Sequence, residues 1–237
     1  MRIKLISDIH AEFHADNGKD FCKRLPVDNA EILIICGDLG QSQSVDICLS
    51  ILSKKFPHII YVLGNHEYYG LSLFAGKTKY TNICNSFKNV YLLDNSFITI
   101  EEQRFFGGTM WFPKVDLIDF YKKYISDSKL IKDFGNVFVE NQKFIEAFEK
   151  TNANDIIVTH HLPSYNCVGK QWKHSKLNMF FVCDMEKYII DKKPKLWCAG
   201  HTHVSCDTLV DGTRIVVNCH GGYDYNENYK ENFIIKV

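Results

Sequence analysis

Five short turns in this 237-residue sequence carry side chains that bind metal ions or move protons. They are Ser7-Asp8-Ile9-His10, Gly37-Asp38, Gly64-Asn65-His66-Glu67, Thr159-His160-His161 and Gly200-His201-Thr202-His203. Carboxylate, imidazole and amide oxygen together suit a hard-to-borderline divalent cation such as Mn, Fe or Zn, and no thiolate stands in these turns. A shared pair of ions is a natural reading of so many donors. Histidine titrates near neutrality, so the same set can also hold or deliver a proton. If the backbone is extended, Asp8-x-His10 and His201-x-His203 each aim two donors to one side. The glycines at 37, 64 and 200 are expected to let the chain turn sharply.

These donors span residues 8 to 203, so the fold must gather them. Each turn follows a short run rich in Ile, Val and Leu: 3–6, 32–36, 59–63, 156–159 and 196–199. Such runs read as strands buried on both faces. The stretches 45–56 and 185–190 space apolar groups three and four apart, as crossover helices do. In open α/β sheets ligands collect outside the carboxyl ends of strands, which would bring all five turns to one crevice.

Two stretches break the alternation and predict added antiparallel strands: 90–112, punctuated by Gln103 and Gly107-Gly108, and 208–218, where Asp211-Gly212 reads as a hairpin turn. Residues 114–150, with Phe144, Ile145 and Phe148 at helical spacing, predict a helical excursion able to cap the site. No repeat or linker divides the chain, so a single domain over residues 1–237 is expected.

Composition narrows the partners. Hydrophobic residues make up 46% and charged residues 24%, and 28 Lys+Arg balance 28 Asp+Glu. Disordered and fibrous classes are thereby excluded, and no bulk field draws the chain to nucleic acid or anionic lipid. The nine cysteines are scattered without a C-x-x-C pair, which fits reduced thiols in the cytoplasm. No apolar run reaches 18 residues and no signal-peptide pattern opens the sequence, so neither membrane insertion nor secretion is expected.

In order and approximate spacing, Asp8-x-His10, Gly37-Asp38, Gly64-Asn65-His66-Glu67, His160 and Gly200-His201-x-His203 resemble the calcineurin-like metallophosphoesterases. The resemblance runs over nearly the whole chain. It implies an α/β sandwich of two mixed β-sheets flanked by helices, with two divalent metal ions at the strand ends. Carried over residue by residue, it assigns Asp8, His10 and His203 to one ion and Asn65, His160 and His201 to the other, with Asp38 bridging. Manganese is the metal expected to support activity in vitro.

The resemblance further implies hydrolysis of a phosphoester by a metal-bridged hydroxide, with the ions roughly 3.5–4 Å apart. His66, unliganded and held near the second ion by Asn65, is the expected catalytic acid, with Asp38 helping to orient it. Glu67 is expected to accept hydrogen bonds behind the ligands. His161 is open between a supporting or solvent-facing role and substrate contact.

Departures from the family pattern narrow the substrate. Protein Ser/Thr phosphatases carry a longer G-D-x-V-D-R-G signature, whereas this turn reads Gly37-Asp38-Leu39-Gly40-Gln41 without arginine. The lipid A-pathway pyrophosphatases replace the histidine of G-N-H by arginine, and His66 is present here. Residues 105–112 and 196–203 resemble small bacterial and phage-type members, in which a basic residue often precedes the final Gly-Tyr. Here that stretch reads Asn218-Cys219-His220-Gly221-Gly222-Tyr223.

Only four arginines occur in the chain, at 2, 24, 104 and 214. A dianionic monoester usually wants guanidinium clamps and a diester needs fewer, so the expected substrate is a small phosphodiester, with nucleotides among the candidates. The alternatives are a nuclease built on the same centre, favoured if Lys114, Lys122, Lys123, Lys129 and Lys132 rim the site, and a scaffold that kept the fold without turnover. Trp111, Phe112, Tyr68 and Tyr69 are candidates for stacking on a nucleobase or aryl leaving group, or for packing a cap against the body.

Overall fold

The computed structural model describes residues 1–115, 118–222 and 225–237. The first sheet holds β1 (Arg2–Ile6), β2 (Ile32–Cys36), β3 (His58–Val62), β4 (Val90–Leu92) and β11 (Ile234–Lys236), in the order β11-β1-β2-β3-β4. The run β1 to β4 is parallel and β11 joins antiparallel at the edge. The second sheet holds β5 (Ser96–Ile100), β6 (Gln103–Gly108), β7 (Ile156–Thr159), β8 (Leu196–Ala199), β9 (Cys206–Val210) and β10 (Thr213–Val217), in the order β5-β6-β7-β8-β10-β9. There β6, β7, β8 and β10 run parallel, flanked by two antiparallel hairpin partners.

Alternate residues of each strand serve different layers, which is why the runs lack a polar face. Ile3, Leu5, Ile32, Ile34, Ile60 and Val62 point between the sheets and meet Phe105, Ile156, Val158, Leu196 and Cys198. Leu33, Ile35, Ile59 and Tyr61 point the other way, toward α2 (Ser42–Leu52) and α3 (Leu73–Cys84). The outer face of the second sheet, with Ile157, Trp197 and Ile215, is covered by α6 (Val137–Phe148) and α7 (Glu186–Lys192). The result is two mixed sheets flanked by helices. Truncating one of these fully buried isoleucines to alanine would cost about 2–5 kcal/mol.

Helix α2 shows how local sequence sets its register. Val45, Cys48, Leu49 and Leu52 recur on one buried face, and Gln41 and Ser44 form a reciprocal capping box at the start. The helix therefore begins three residues before the apolar periodicity does. The hairpin at Asp211-Gly212 forms with both residues at positive φ, 44° and 86°, as a two-residue turn requires.

Two expectations are corrected. In 90–112 only β5 and β6 form an antiparallel hairpin, and its turn is Glu101-Glu102; β4 instead adds in parallel to β3. Gly107 and Gly108 end β6 rather than punctuate it, because a Cβ at 107 would stand 2.8 Å from the Val158 carbonyl. The 114–150 excursion is also divided. Helix α6 is a layer helix whose Phe144 and Phe148 pack on the second sheet. The preceding α4 (Ile118–Tyr124) and α5 (Asp127–Leu130) border the cleft described below. Residues 116 and 117 of that segment lie outside the described residues.

Candidate metal centre

Every one of the five turns leaves the carboxyl end of a parallel strand, and the two sheets bring those ends together. The turn after β1 hydrogen-bonds along the turn after β2: Asp8 N–H donates to Gly37 O at 3.1 Å and His10 N–H to Asp38 O at 3.0 Å. The two Asp8 carboxylate oxygens each accept from His201 N–H at 3.0 Å, tying the first sheet to the second.

The paired donors do not converge by strand alternation. Asp8, His10, Asp38, His201 and His203 all lie at positive φ, between 49° and 75°. That left-handed geometry is uncommon for residues with a Cβ, though Asp and His tolerate it better than most. Extended backbone would have continued the strands past the crevice; the left-handed steps fold the donors back over it. Among the glycines, Gly37 does need a positive φ, 81°. Gly64 is required for another reason: a Cβ there would sit 2.1 Å from Asp38 Oδ1 and 2.6 Å from Asp38 N.

Asp8, His10 and His203 offer ligand atoms that lie within 4.8 Å of one another, and so do Asp38, His160 and His201. His10 Nε2 and His203 Nε2 are 3.1 Å apart, with Asp8 Oδ1 3.6 Å from His203 Nε2. Between the two sets stands Asp38, whose Oδ2 is 3.7 Å from His10 Nε2 and 3.4 Å from His160 Nε2. Asn65 Oδ1 completes the second set at 2.9 Å from His160 Nε2. All seven residues that the sequence singled out as ligands meet here, and their oxygen and imidazole donors fit a pair of divalent cations.

Supporting contacts aim these atoms. His160 Nδ1–H donates to the Cys36 carbonyl at 2.8 Å, which leaves Nε2 facing the centre. The Asn65 amide nitrogen donates to Asp127 at 2.9 Å, which turns its oxygen inward. Buried Glu67 bonds to no side-chain donor atom of the set. Its carboxylate accepts from the backbone N–H groups of Asp38, Leu39, Gly40 and Gly64 and from the Tyr61 hydroxyl, clamping the turns after β2 and β3 together.

His66 stands at the rim with 19% of its side chain exposed. Its N–H donates to Asp38 Oδ1 at 3.0 Å, and its Nδ1 lies 2.9 Å from Glu12 Oε1. The same Glu12 oxygen is 3.4 Å from His10 Nδ1. Sequence reasoning missed Glu12, although its spacing in Asp8-x-His10-x-Glu12 was the available signal. Asp127 was missed as well, and nothing in its local sequence marks it.

Charge in the centre is strongly coupled. Burial pulls His66 down, but Asp38 and Glu12 outweigh it and carry the imidazole up to about 9. Burial likewise opposes His160, and Asp38 carries it to about 10. Asp38 is held well below the usual carboxylate range despite its burial, chiefly by His160 and His66. His161 goes the other way, to about 3, through burial and the adjacent His160. It is packed against Trp111, Phe112 and His201, which gives it a place behind the centre rather than in solvent.

A cleft of about 570 Å³ opens over this centre. Asp38, Asn65, His66, His201 and His203 form one wall, and residues 124–127 and 168–181 contribute the other. Of the aromatic candidates, Trp111, Phe112 and Tyr68 are core residues and only Tyr69 reaches the cleft. Lys122 and Lys132 line a separate groove of about 440 Å³, so the lysines of 114–132 do not gather on this rim. The 218–222 stretch passes beside Asp8, with Gly221 N–H donating to its carbonyl at 3.1 Å; Tyr223 lies outside the described residues.

A two-sheet α/β sandwich with candidate metal-ligand sets at the parallel strand ends defines the class. The chain belongs to the calcineurin-like phosphoesterase family, whose sequence model matches residues 1–205. It is 29% identical over 266 aligned residues to an uncharacterised protein of Acanthamoeba polyphaga mimivirus, with 96% of this chain and 94% of the relative covered. In fold it is similar to the phosphopantetheinyl hydrolase of Mycobacterium tuberculosis, with a TM-score of 0.71, 16% identity, and 93% and 89% of the two chains covered. A purple acid phosphatase from yellow lupin seeds matches with a TM-score of 0.53 and 14% identity over 92% of this chain and 43% of its own. Among the described residues no helix is long and apolar enough to cross a membrane.

Proposed function

We propose that the chain is a dimetal phosphodiesterase acting on a small substrate. Asp8, His10 and His203 would hold one cation, and Asn65, His160 and His201 the other, with Asp38 shared. The observation that carries this reading is the position of Asp38 Oδ2, within 3.7 Å of an imidazole nitrogen from each set. Two divalent cations bound there would polarise the phosphoryl oxygens and lower the pKa of a shared water. Manganese is the metal we favour for activity in vitro.

His66 is the acid in this scheme. Glu12 engages Nδ1, so Nε2 is the nitrogen left to donate a proton to the departing ester oxygen. Asp38 fixes the same residue through its backbone N–H, and Glu12 beside Nδ1 works against burial to favour the protonated imidazole. Asn65, held by Asp127, keeps its oxygen beside His160 Nε2, where it would help hold the second cation.

The lean to diesters is supported by the cleft wall: no lysine or arginine lines it among the described residues. A monoester would bring a second negative charge with no guanidinium to meet it. The same absence speaks against a nuclease, which needs a basic track for its polymer. The nine cysteines are all free, which supports the reading of a cytoplasmic, reducing environment.

Purified protein supplied in turn with Mn²⁺, Zn²⁺ or Fe²⁺ should hydrolyse bis(p-nitrophenyl) phosphate with a higher kcat/KM than p-nitrophenyl phosphate. A clear preference for the monoester would overturn the diester assignment, and no turnover with any metal would favour a scaffold.

A further inference from the structure

The far wall of the cleft is unlike its metal side. It is built from short 3-10 turns, Lys170–Trp172 and Lys176–Phe180, and from the end of α4 and start of α5. Two large aromatic side chains there are exposed although they line a cavity: Trp172 at 56% and Tyr124 at 51%. Phe181 and Tyr69 continue the apolar surface inward, where Phe181 stacks on the His201 ring at 4.6 Å and Tyr69 lies 4.3 Å from the His66 ring. Lys123 Nζ is 5.2 Å over the Tyr124 ring but does not line the cleft.

The aromatic pair at the cavity mouth is informative because it lines one cavity with Phe181 and Tyr69, and contiguous exposed apolar surface, unlike a single exposed side chain, marks a binding site. The position of Trp172 is not accidental slack: its carbonyl accepts from the Asn178 side chain at 2.8 Å and its N–H donates to Gly169 O at 2.8 Å. The polar groups interspersed with these rings, Gln171, Ser175, Asn178 and Thr202, are all neutral. Apart from Asp127, whose carboxyl group is engaged by Asn65 and the Tyr69 hydroxyl, the wall offers stacking and hydrogen bonding but no charge.

We propose that this wall binds the ester group of the substrate, and that the group is a flat, uncharged aromatic or heteroaromatic ring, as in a nucleoside or aryl phosphodiester. The inference rests on the phosphodiesterase reading for its chemistry but on the cleft alone for its selectivity. A cavity of about 570 Å³ is within the ordinary range for small-molecule sites, about 300–1,000 Å³. It therefore fits one nucleoside-sized unit rather than a polymer. Stacking on an aromatic platform is tolerant of ring identity, so the wall distinguishes ring from alkyl more sharply than one ring from another.

The test compares three methyl diesters, assayed with Mn²⁺ by phosphorus NMR: thymidine 5′-(methyl phosphate), phenyl methyl phosphate and, as the methyl ester without a ring, dimethyl phosphate. The ring-bearing esters should show the lower KM, and Trp172→Ala should raise their KM about ten-fold more than that of the methyl ester, with Trp172→Phe restoring most of the difference. A thymidyl KM below the phenyl one would assign the wall to nucleosides, and the reverse to plain aryl groups.

The second readout does not require turnover. Trp111 and Trp197 are buried, so quenchable tryptophan fluorescence in chelator-treated protein reports chiefly on Trp172. The thymidyl and phenyl esters should quench it at lower concentration than the methyl ester. Quenching without hydrolysis by any metal-loaded sample would overturn the phosphodiesterase reading and leave the ring site standing. Hydrolysis with neither quenching nor a difference in KM among the esters would overturn the ring site.

Discussion

The two walls of the cleft are made differently. On the metal side, Asp8, Asp38 and His160 are at most 2% exposed, and each is fixed by backbone hydrogen bonds or by a carbonyl behind its ring. On the far side, Trp172 and Tyr124 are more than half exposed and are carried by segments outside both sheets. Groups that must meet a reacting atom need positional accuracy, which rigid strand ends supply. Groups that choose among substrates need only present a surface, and irregular segments suffice. The difference separates where the chemistry is set from where the selection is made.

If that separation holds, damage to the near wall should strike kcat and metal content, and damage to the far wall should strike KM. The largest effect is expected for Asp38→Ala: kcat below about one-thousandth of normal, with elemental analysis showing loss of bound Mn²⁺. Retention of both metals with near-normal turnover would remove Asp38 from its bridging place. His66→Ala should lower kcat about a hundred-fold with metal content unchanged, since its role is proton delivery. A parallel loss of metal would make it a ligand instead.

Glu12→Gln should cost about ten-fold in kcat, typical for a group acting through another residue. It should also change how stability depends on pH in chelator-treated protein. His66 is raised from its ordinary 6.5 to about 9, so its stabilising contribution is fully present below 6.5 and is lost as the pH rises through 9. His160, raised to about 10, acts in the same direction. The melting temperature of the wild type should therefore fall across pH 6.5–9, and Glu12→Gln should flatten the His66 share of that fall.

Much of the near wall was legible in the sequence, because its physics is local. A strand buried on both faces announces itself as an unbroken apolar run, and a donor-rich turn directly after it has few other uses. Asp8, Asp38 and His160 are found this way. The family resemblance then sorted the donors into sets. The far wall gave no such signal: Trp172 and Phe181 lie in a stretch without helical or strand periodicity. Only the path of the chain brings them over the centre. Asp127 shows the same limit, since its partner Asn65 is 62 positions away and neither residue type predicts the pair. The left-handed turns defeated a simpler expectation, that x-spaced donors align as on a strand. The sign of φ at Asp and His is not written in the residues themselves.

Those left-handed steps have a further implication for how this molecule responds to change. Each holds a side-chain-bearing residue in a conformation that glycine would adopt at ease, a cost of order 1–3 kcal/mol per position. Half-exposed His203, at φ 52°, is the clearest instance. In chelator-treated protein, replacing it with glycine should let the chain relax and withstand more heat while removing a proposed ligand. Hardiness and catalysis are thus opposed at a single backbone angle.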